Sequence, residues 1–354
     1  MKGFLLLRSL FLSLSLVWMA GMMASPILAE AIPLKCGVVL PLTGPMSSLG
    51  ASIMNSMILA HEDAHGADSV DFIFEDDQFT PRNTVALVTK LINIDQVACL
   101  VVFGSTTSLS IADLVERRGV PTISIAISEK VSAGKQYIMR HYIRVSTQAE
   151  GLAREVEKRR YPSVAILSTE QDAALALREA FLSRWGKVPV LDERLVPGML
   201  DCRGTALKVK GAAPSAVMLN LLPPQTAICS RQLREMGYKG EFFSGPFAGN
   251  QSEITASQGA LDGAWFIRND DSLAGEYYVK YQSRFSAAPE IEGSNGYDVA
   301  KLIIAGAKSK NLNEYLHTVT GFKGILGTYS AANNTFDIPV GLRTVVKGKV
   351  GARG

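Results

Sequence analysis

The stretch ACLVVFGSTTSLSIADLVERRGVPTISI, residues 98–125, decides the fold. Residues 98–103 are a short apolar run rich in β-branched side chains and read as a strand; 107–118 read as a helix, and 120–125 return to the strand pattern. Strands joined through a helix run parallel, and a parallel sheet needs helical cover. Ser105-Thr106-Thr107 stands where the first strand hands over to the helix. Backbone N–H groups without intrahelical acceptors gather there, and the positive end of the helix dipole faces the carboxyl end of the sheet, so the turn suits an anion. An ordinary helix cap needs one hydroxyl, whereas this turn offers three.

The same alternation continues in both directions. Upstream, strands at 34–40 and 70–75 alternate with helices at 48–65 and 82–94. Downstream of an extended segment at 138–145, helices at 150–160, 173–185, 202–210 and 225–236 alternate with strands at 164–167, 188–195, 216–219 and 241–243. Two βα series of similar size exceed what one core holds, which gives the α/β class: two doubly wound parallel-sheet lobes joined by hinge crossovers. The lobes are expected over 32–146 plus 272–338 and over 147–271 plus 339–354. The tail, with helices at 273–285 and 295–309 and no long strand series, returns to complete one lobe. No low-complexity linker separates the halves, so short crossovers join them.

Thirty-six Lys and Arg balance 33 Asp and Glu, and the longest basic run is Lys158-Arg159-Arg160, which excludes a nucleic-acid footprint. Lys2 and Arg8, an apolar run from Phe4 to Met23 and the small-residue site Ala29-Glu30-Ala31 have the plan of a secretory signal peptide; cleavage can follow Ala29 or Ala31, and the A-x-A pattern favours Ala31, giving 1–31. Cys36 follows Lys35 and not a small residue, so a lipid anchor is not indicated. The expected location is outside the cytoplasm. In an exported chain Cys36, Cys99, Cys202 and Cys229 allow two disulfides in three connectivities, or stay as buried thiols; no C-x-x-C pair suggests metal or redox chemistry.

The loudest catalytic pattern is His61-Glu62-Asp63-Ala64-His65, a literal H-E-x-x-H. A zinc hydrolase needs both His on one helix face and a third ligand downstream, but Gly66 ends the helix at once and Asp68 stands where the extended pattern wants Gly. It reads as a solvated helix end. Ser132-Ala133-Gly134-Lys135 has S-x-x-K spacing without its partner motifs, and no P-loop, G-x-S-x-G or dinucleotide fingerprint follows a strand. The expectation is a chain that is not an enzyme and uses neither cofactor nor metal.

Taken in order, Gly37-Val38-Val39-Leu40-Pro41-Leu42-Thr43-Gly44-Pro45, Glu75-Asp76-Asp77-Gln78, Phe103-Gly104-Ser105-Thr106-Thr107, Gly119-Val120-Pro121-Thr122-Ile123-Ser124, Met139-Arg140, Ser244-Gly245-Pro246, Gly296-Tyr297-Asp298 and Gly327-Thr328-Tyr329 resemble the type I periplasmic solute-binding proteins, the branched-chain amino-acid (Leu/Ile/Val) receptors of ABC importers. The resemblance spans nearly the whole chain after 31. It implies two lobes that close on a small ligand, and a monomer that delivers the ligand to an inner-membrane ABC permease. A sensor of the same fold, reporting to a signalling partner, is the alternative. It also implies that the ligand carboxylate is held by Ser105 and Ser128 through side chain and amide, with Thr106 in the same turn, and that the Ala126 carbonyl takes part of an ammonium.

Departures from the family bear on specificity. The acid that pairs with a ligand ammonium falls on Phe247, a second falls on Val145 beside Arg144, the aromatic residue before Gly50 is Leu49, and the Tyr-Gly opening the second lobe's helix is Ala173-Ala174. A one- or two-residue shift would bring Glu253 or Asp262 instead. A buried ammonium without a carboxylate costs several kcal/mol. The expected ligand is therefore a small carboxylate-type molecule with an apolar or aromatic body, ahead of any zwitterionic amino acid.

Overall fold

The computed structural model describes residues 33–64 and 69–351. The expected signal peptide and His65 lie outside the described residues.

The chain opens with β1 (Leu34–Leu40), α1 (Ser47–Asp63), β2 (Val70–Asp76), α2 (Pro81–Asn93), β3 (Cys99–Phe103), α3 (Ser105–Arg118), β4 (Thr122–Ile125) and β5 (Ile138–Arg140). The second series is α4 (Val145–Arg159), β6 (Val164–Thr169), α5 (Asp172–Trp185), β7 (Leu191–Leu195), α6 (Arg203–Ala212), β8 (Ala216–Asn220), α7 (Gln225–Glu235), β9 (Glu241–Ser244), α8 (Gln251–Ala256) and β10 (Trp265–Asn269). Then come α9 (Gly275–Phe285), α10 (Ile291–Gly306), α11 (Leu312–Thr318), β11 (Phe322–Gly324), β12 (Gly327–Tyr329), β13 (Ala331–Ala332), β14 (Thr335–Phe336), β15 (Val340–Val346) and β16 (Lys349–Gly351).

One sheet has the order β13-β14-β5-β4-β3-β1-β2 and the other β16-β15-β10-β9-β8-β6-β7. In both, the first strand of the series pairs in parallel with the second and third, which is the doubly wound switch point. Strands β3, β4, β6 and β8 are buried throughout, as strands covered on both faces must be. Helices cover the sheets by apolar stripes; on α2, Thr84, Val88 and Leu91 make the buried face. The chain passes from one sheet to the other after β5, after β10 and after β14.

The tail differs from expectation. It contains six strands, most of them short, of which β13 and β14 extend the first sheet while β15 and β16 extend the second. Both sheets are therefore mixed, since β13 runs antiparallel to β14 and β15 to β10. Strands of two or three residues exist only through their pairing partners and leave no periodicity to read. The helix expected to begin at 150 begins at Val145, because Val145, Gln148 and Ala149 are buried against the second lobe. The strand expected from 188 begins at Leu191, and Val188 is exposed.

The cysteines pair as Cys36–Cys99 and Cys202–Cys229, with Cα atoms 4.7 and 5.2 Å apart. The first joins registered partners on β1 and β3. In the first lobe α10 is almost wholly buried and crosses α1 closely; a Cβ on Gly296 would stand 2.8 Å from the Ile53 carbonyl oxygen, so only glycine permits the approach.

Candidate ligand cleft

Gly104 has φ +98, and a Cβ there would stand 2.4 Å from the Phe79 ring, so glycine alone makes the turn from β3 into α3. That turn sets Ser105 at the helix N-terminus, where it is buried. Its Oγ accepts the Ser128 N–H at 3.0 Å, tying α3 to the loop after β4 and leaving the Ser105 O–H to donate elsewhere.

Arg140, at the end of β5, holds that loop from behind. Its Nη1 donates to the carbonyls of Ala126, Ile127 and Ile143 at 3.1, 3.2 and 3.1 Å. Glu129 lies 3.7 Å from Arg140 Nη2 and accepts the Val145 N–H at 2.9 Å. Burial lowers the guanidinium to about 10 against the opposing pull of Glu129, so it stays charged at neutral pH. The loop that presents Ala126 is thus tied to the first crossover.

Residues of both lobes enclose a cavity of about 20 Å³. Ser105, Ala126, Phe103 and Phe79 line it from the first lobe, with Tyr142 and Glu292; Ala173, Leu222 and Phe247 cover it from the second. A space of this size holds a single water, so a larger ligand enters only when the lobes move apart. A second pocket of about 160 Å³ adjoins it and shares Met46, Phe79 and Leu222. Across the cleft Thr106 Oγ1 donates to Asp172 Oδ2 at 3.3 Å.

Glu292 is the polar feature that sequence reading missed. It sits in the first turn of α10, fully buried, and its Oε1 accepts the Tyr142 hydroxyl at 3.3 Å. Its Oε2 has no hydrogen-bond partner among the described residues. Burial pushes this carboxyl up to about 7, with Glu290 adding to the shift and Arg268 opposing it. An acid in a helix's first turn ordinarily answers the helix dipole at the surface, so nothing in Pro289-Glu290-Ile291-Glu292 signals a cleft.

Among the residues singled out from sequence, Ser105, Ala126 and Phe247 line the cavity together, and Ser128 is bonded to Ser105. Thr106 belongs to the interlobe hydrogen bond. The structure brings neither Leu49 nor Arg144 to the cavity. Leu49 is fully buried in the core, and Met46, just before α1, lines the cavity in its place. Arg144 bonds Asp337 at 3.1 Å and the Ala332 carbonyl at 2.9 Å, away from the cavity. Glu253 accepts the Ala227 N–H at 2.8 Å and Asp262 the Gly348 N–H at 2.9 Å, so both are engaged within the second lobe.

In the H-E-x-x-H segment, His61 Nε2 lies 3.1 Å from the Val70 carbonyl oxygen, Glu62 pairs with Arg284 and Asp63 with Lys280. Lys135 of the S-x-x-K string pairs with Asp113. Among the described residues no group of three or more His, Cys, Asp or Glu side chains is arranged to hold a metal ion.

Residues 33–349 match the periplasmic binding protein family, and the chain belongs to it. It is similar to the Leu/Ile/Val-binding protein BraC3 of Rhizobium johnstonii, 23% identical over 250 residues that make up 67% of each chain. Among solved structures it is similar to the branched-chain amino acid transporter substrate-binding protein LivJ of Streptococcus pneumoniae in complex with isoleucine, with a TM-score of 0.82, 20% identity, and 90% of this chain and 98% of that one covered. It is equally similar to an ABC transporter solute-binding protein of R. palustris in complex with benzoate, at TM-score 0.82 and 17% identity, covering 90% and 95%. The fold and family are those of solute-binding proteins. Among the described residues no helix is long and apolar enough to cross a membrane.

Proposed function

We propose that this protein captures a small carboxylate with an apolar or aromatic body between its lobes outside the cytoplasm and delivers it to the permease of an ABC importer. One lobe comprises 32–146 with 272–338, and the other 147–271 with 339–354. The observation that carries the proposal is the make-up of the cavity: a helix N-terminus and a hydroxyl on the first lobe, and apolar cover with Phe247 in place of an acid on the second. Ser105, Ser128 and the Thr106 amide hold the carboxylate, while Phe79, Phe103, Leu222 and Phe247 enclose the body. Opening about the crossovers admits the ligand, and closure presents the permease with a shape the ligand has stabilised. That a protein of the same fold is solved with benzoate supports the aromatic acids as a class this architecture accommodates.

A second reading has one observation in its favour. The unpartnered oxygen of Glu292 offers a hydrogen-bond acceptor, which an ammonium or a ligand hydroxyl would satisfy. A thermal-shift screen decides between them, since a ligand at 100 times its Kd adds about 2.7 kcal/mol of stability. Benzoate, hydroxybenzoates and medium-chain aliphatic carboxylates are expected to raise Tm. Micromolar binding of leucine, isoleucine or valine, with none by the acids, would replace the first reading by the second.

A further inference from the structure

A larger pocket, of about 610 Å³, lies at the second crossover and away from the cleft cavity. The second lobe lines it with Arg268 of β10, Arg343 of β15 and Lys349 of β16; the first lobe lines it with Tyr278 and Gln282 of α9, and Asp271 lies in the crossover itself. Its volume is in the range of small-molecule sites, about 300 to 1,000 Å³.

Its charge is unbalanced. Asp271 is the one carboxylate among these lining side chains, and it is already saturated. Its Oδ2 accepts the Tyr278 hydroxyl at 2.7 Å and lies 3.4 Å from Arg268 Nη2, while its Oδ1 accepts from Arg343 at 2.5 Å. Burial would raise this carboxyl, but Arg268, the Tyr278 hydroxyl and Arg343 hold it low and ionised. Asp270, beside it, accepts from Arg343 at 3.3 Å. Of the acids at the start of α10, Glu290 accepts the Ser252 N–H at 3.0 Å and Glu292 belongs to the cleft, and burial pushes both up. Arg268 is only 4% exposed, yet its Nε has no hydrogen-bond partner among the described residues. A buried guanidinium N–H left unbonded is costly, and an oxyanion is the acceptor that relieves it with full charge complementarity.

We infer that this pocket is a second ligand site, for a small oxyanion of the phosphate or carboxylate class, held by Arg268, Arg343 and Lys349. Because both lobes and the crossover contribute, the bound anion braces the closed arrangement, and by reciprocity the cleft ligand and the anion strengthen each other's binding.

Calorimetric titration of the processed full chain with inorganic phosphate and, separately, with succinate tests this. Saturable one-to-one binding of either is expected, and which of the two binds names the source of the oxyanion. The cleft variant Ser105→Ala should bind the anion as the parent does. Lys349→Glu reverses one exposed charge at the pocket without disturbing the core and should weaken binding about tenfold; Arg343→Gln should weaken it further. Absence of saturable binding by both anions at tens of millimolar would overturn the site, as would binding that Ser105→Ala removes and Lys349→Glu leaves intact.

Discussion

Two βα turns meet across the cleft, Gly104-Ser105-Thr106 after β3 and Glu170-Gln171-Asp172 after β6, and they handle their polar groups in opposite ways. In the first lobe the Ser105 hydroxyl accepts one N–H and keeps its own proton to donate, while Arg140 fixes the carbonyls behind it. In the second lobe Asp172 takes the Thr106 hydroxyl across the cleft, and the polar groups beside the turn bond one another. Thr169 Oγ1 donates to Gln225 Oε1 and accepts the Leu222 N–H at 3.0 Å, the Gln225 amide donates to the Val196 carbonyl at 2.8 Å, and Ser244 Oγ donates to the Leu219 carbonyl at 2.6 Å. What the second lobe turns toward the cavity is Ala173, Leu222 and Phe247. The same fold unit thus serves as an anchor on one side and as an apolar cover on the other. Affinity for a charged head should depend on the first wall, and choice of body on the second.

The strongest way to break the contrast is to remove the anchor. Ser105→Ala with Ser128→Ala deletes hydrogen bonds to a charged group and should weaken carboxylate binding by roughly 3 to 6 kcal/mol while the chain still folds. Calorimetry on the variant, alongside its circular dichroism, checks both halves of that statement. Affinity within a factor of two of the parent would show that the anchor lies elsewhere.

The next change makes the cover resemble the anchor's charged partner. Phe247→Glu places a carboxylate in the apolar wall, which should repel an acid ligand and give an ammonium a partner. The preference between benzoate and leucine should move toward leucine by on the order of 100-fold, about 3 kcal/mol, with some loss of stability from the buried ring. Competition of the two ligands in a fluorescence or calorimetric displacement assay reads the ratio. If the ratio does not move, the second wall does not select.

Much of this contrast is legible in the sequence alone. The strands at 34–40 and 98–103 are largely buried and announce themselves as apolar runs, and a Gly-Ser-Thr-Thr turn after one of them marks an anion-facing helix start. β10 stays hidden because Arg268 and Asn269 interrupt its apolar pattern, although both are buried in place. Leu49 and Arg144 attract attention by their neighbourhood in the chain, but which way a side chain at a helix start points depends on where the helix begins, and α1 and α4 begin at Ser47 and Val145. Leu49 accordingly sits in the core, and Arg144 bonds residues after β12. Glu292 is illegible for a different reason. Its role comes from tertiary packing that removes water from a residue type normally left at the surface.

That residue offers the finest test of the comparison, because it is the one acid among the side chains lining the cavity. Burial holds the Glu292 carboxyl at about 7 in the folded chain, above its ordinary value of 4.5. The unfolded chain therefore gives up this proton at lower pH than the folded one. The stability contributed by the protonated group is fully present below the ordinary Glu range and is lost as pH rises toward about 7. At about 1.4 kcal/mol per pH unit the whole shift is worth at most about 3 kcal/mol. Glu253, also raised to about 7, and Asp298, raised to about 6, titrate over the same range and give the parent a further decline that Glu292 does not cause. Glu292→Gln keeps the shape and the bond from Tyr142 while removing one titrating group. Its stability, measured by urea unfolding without ligand from about pH 5 to pH 8, should fall less steeply than the parent's, by about 1 to 2 kcal/mol over the range. Parallel curves would mean that Glu292 is ionised in the closed cleft. An ammonium would then find its partner there, and the apolar second wall would no longer count against an amino acid.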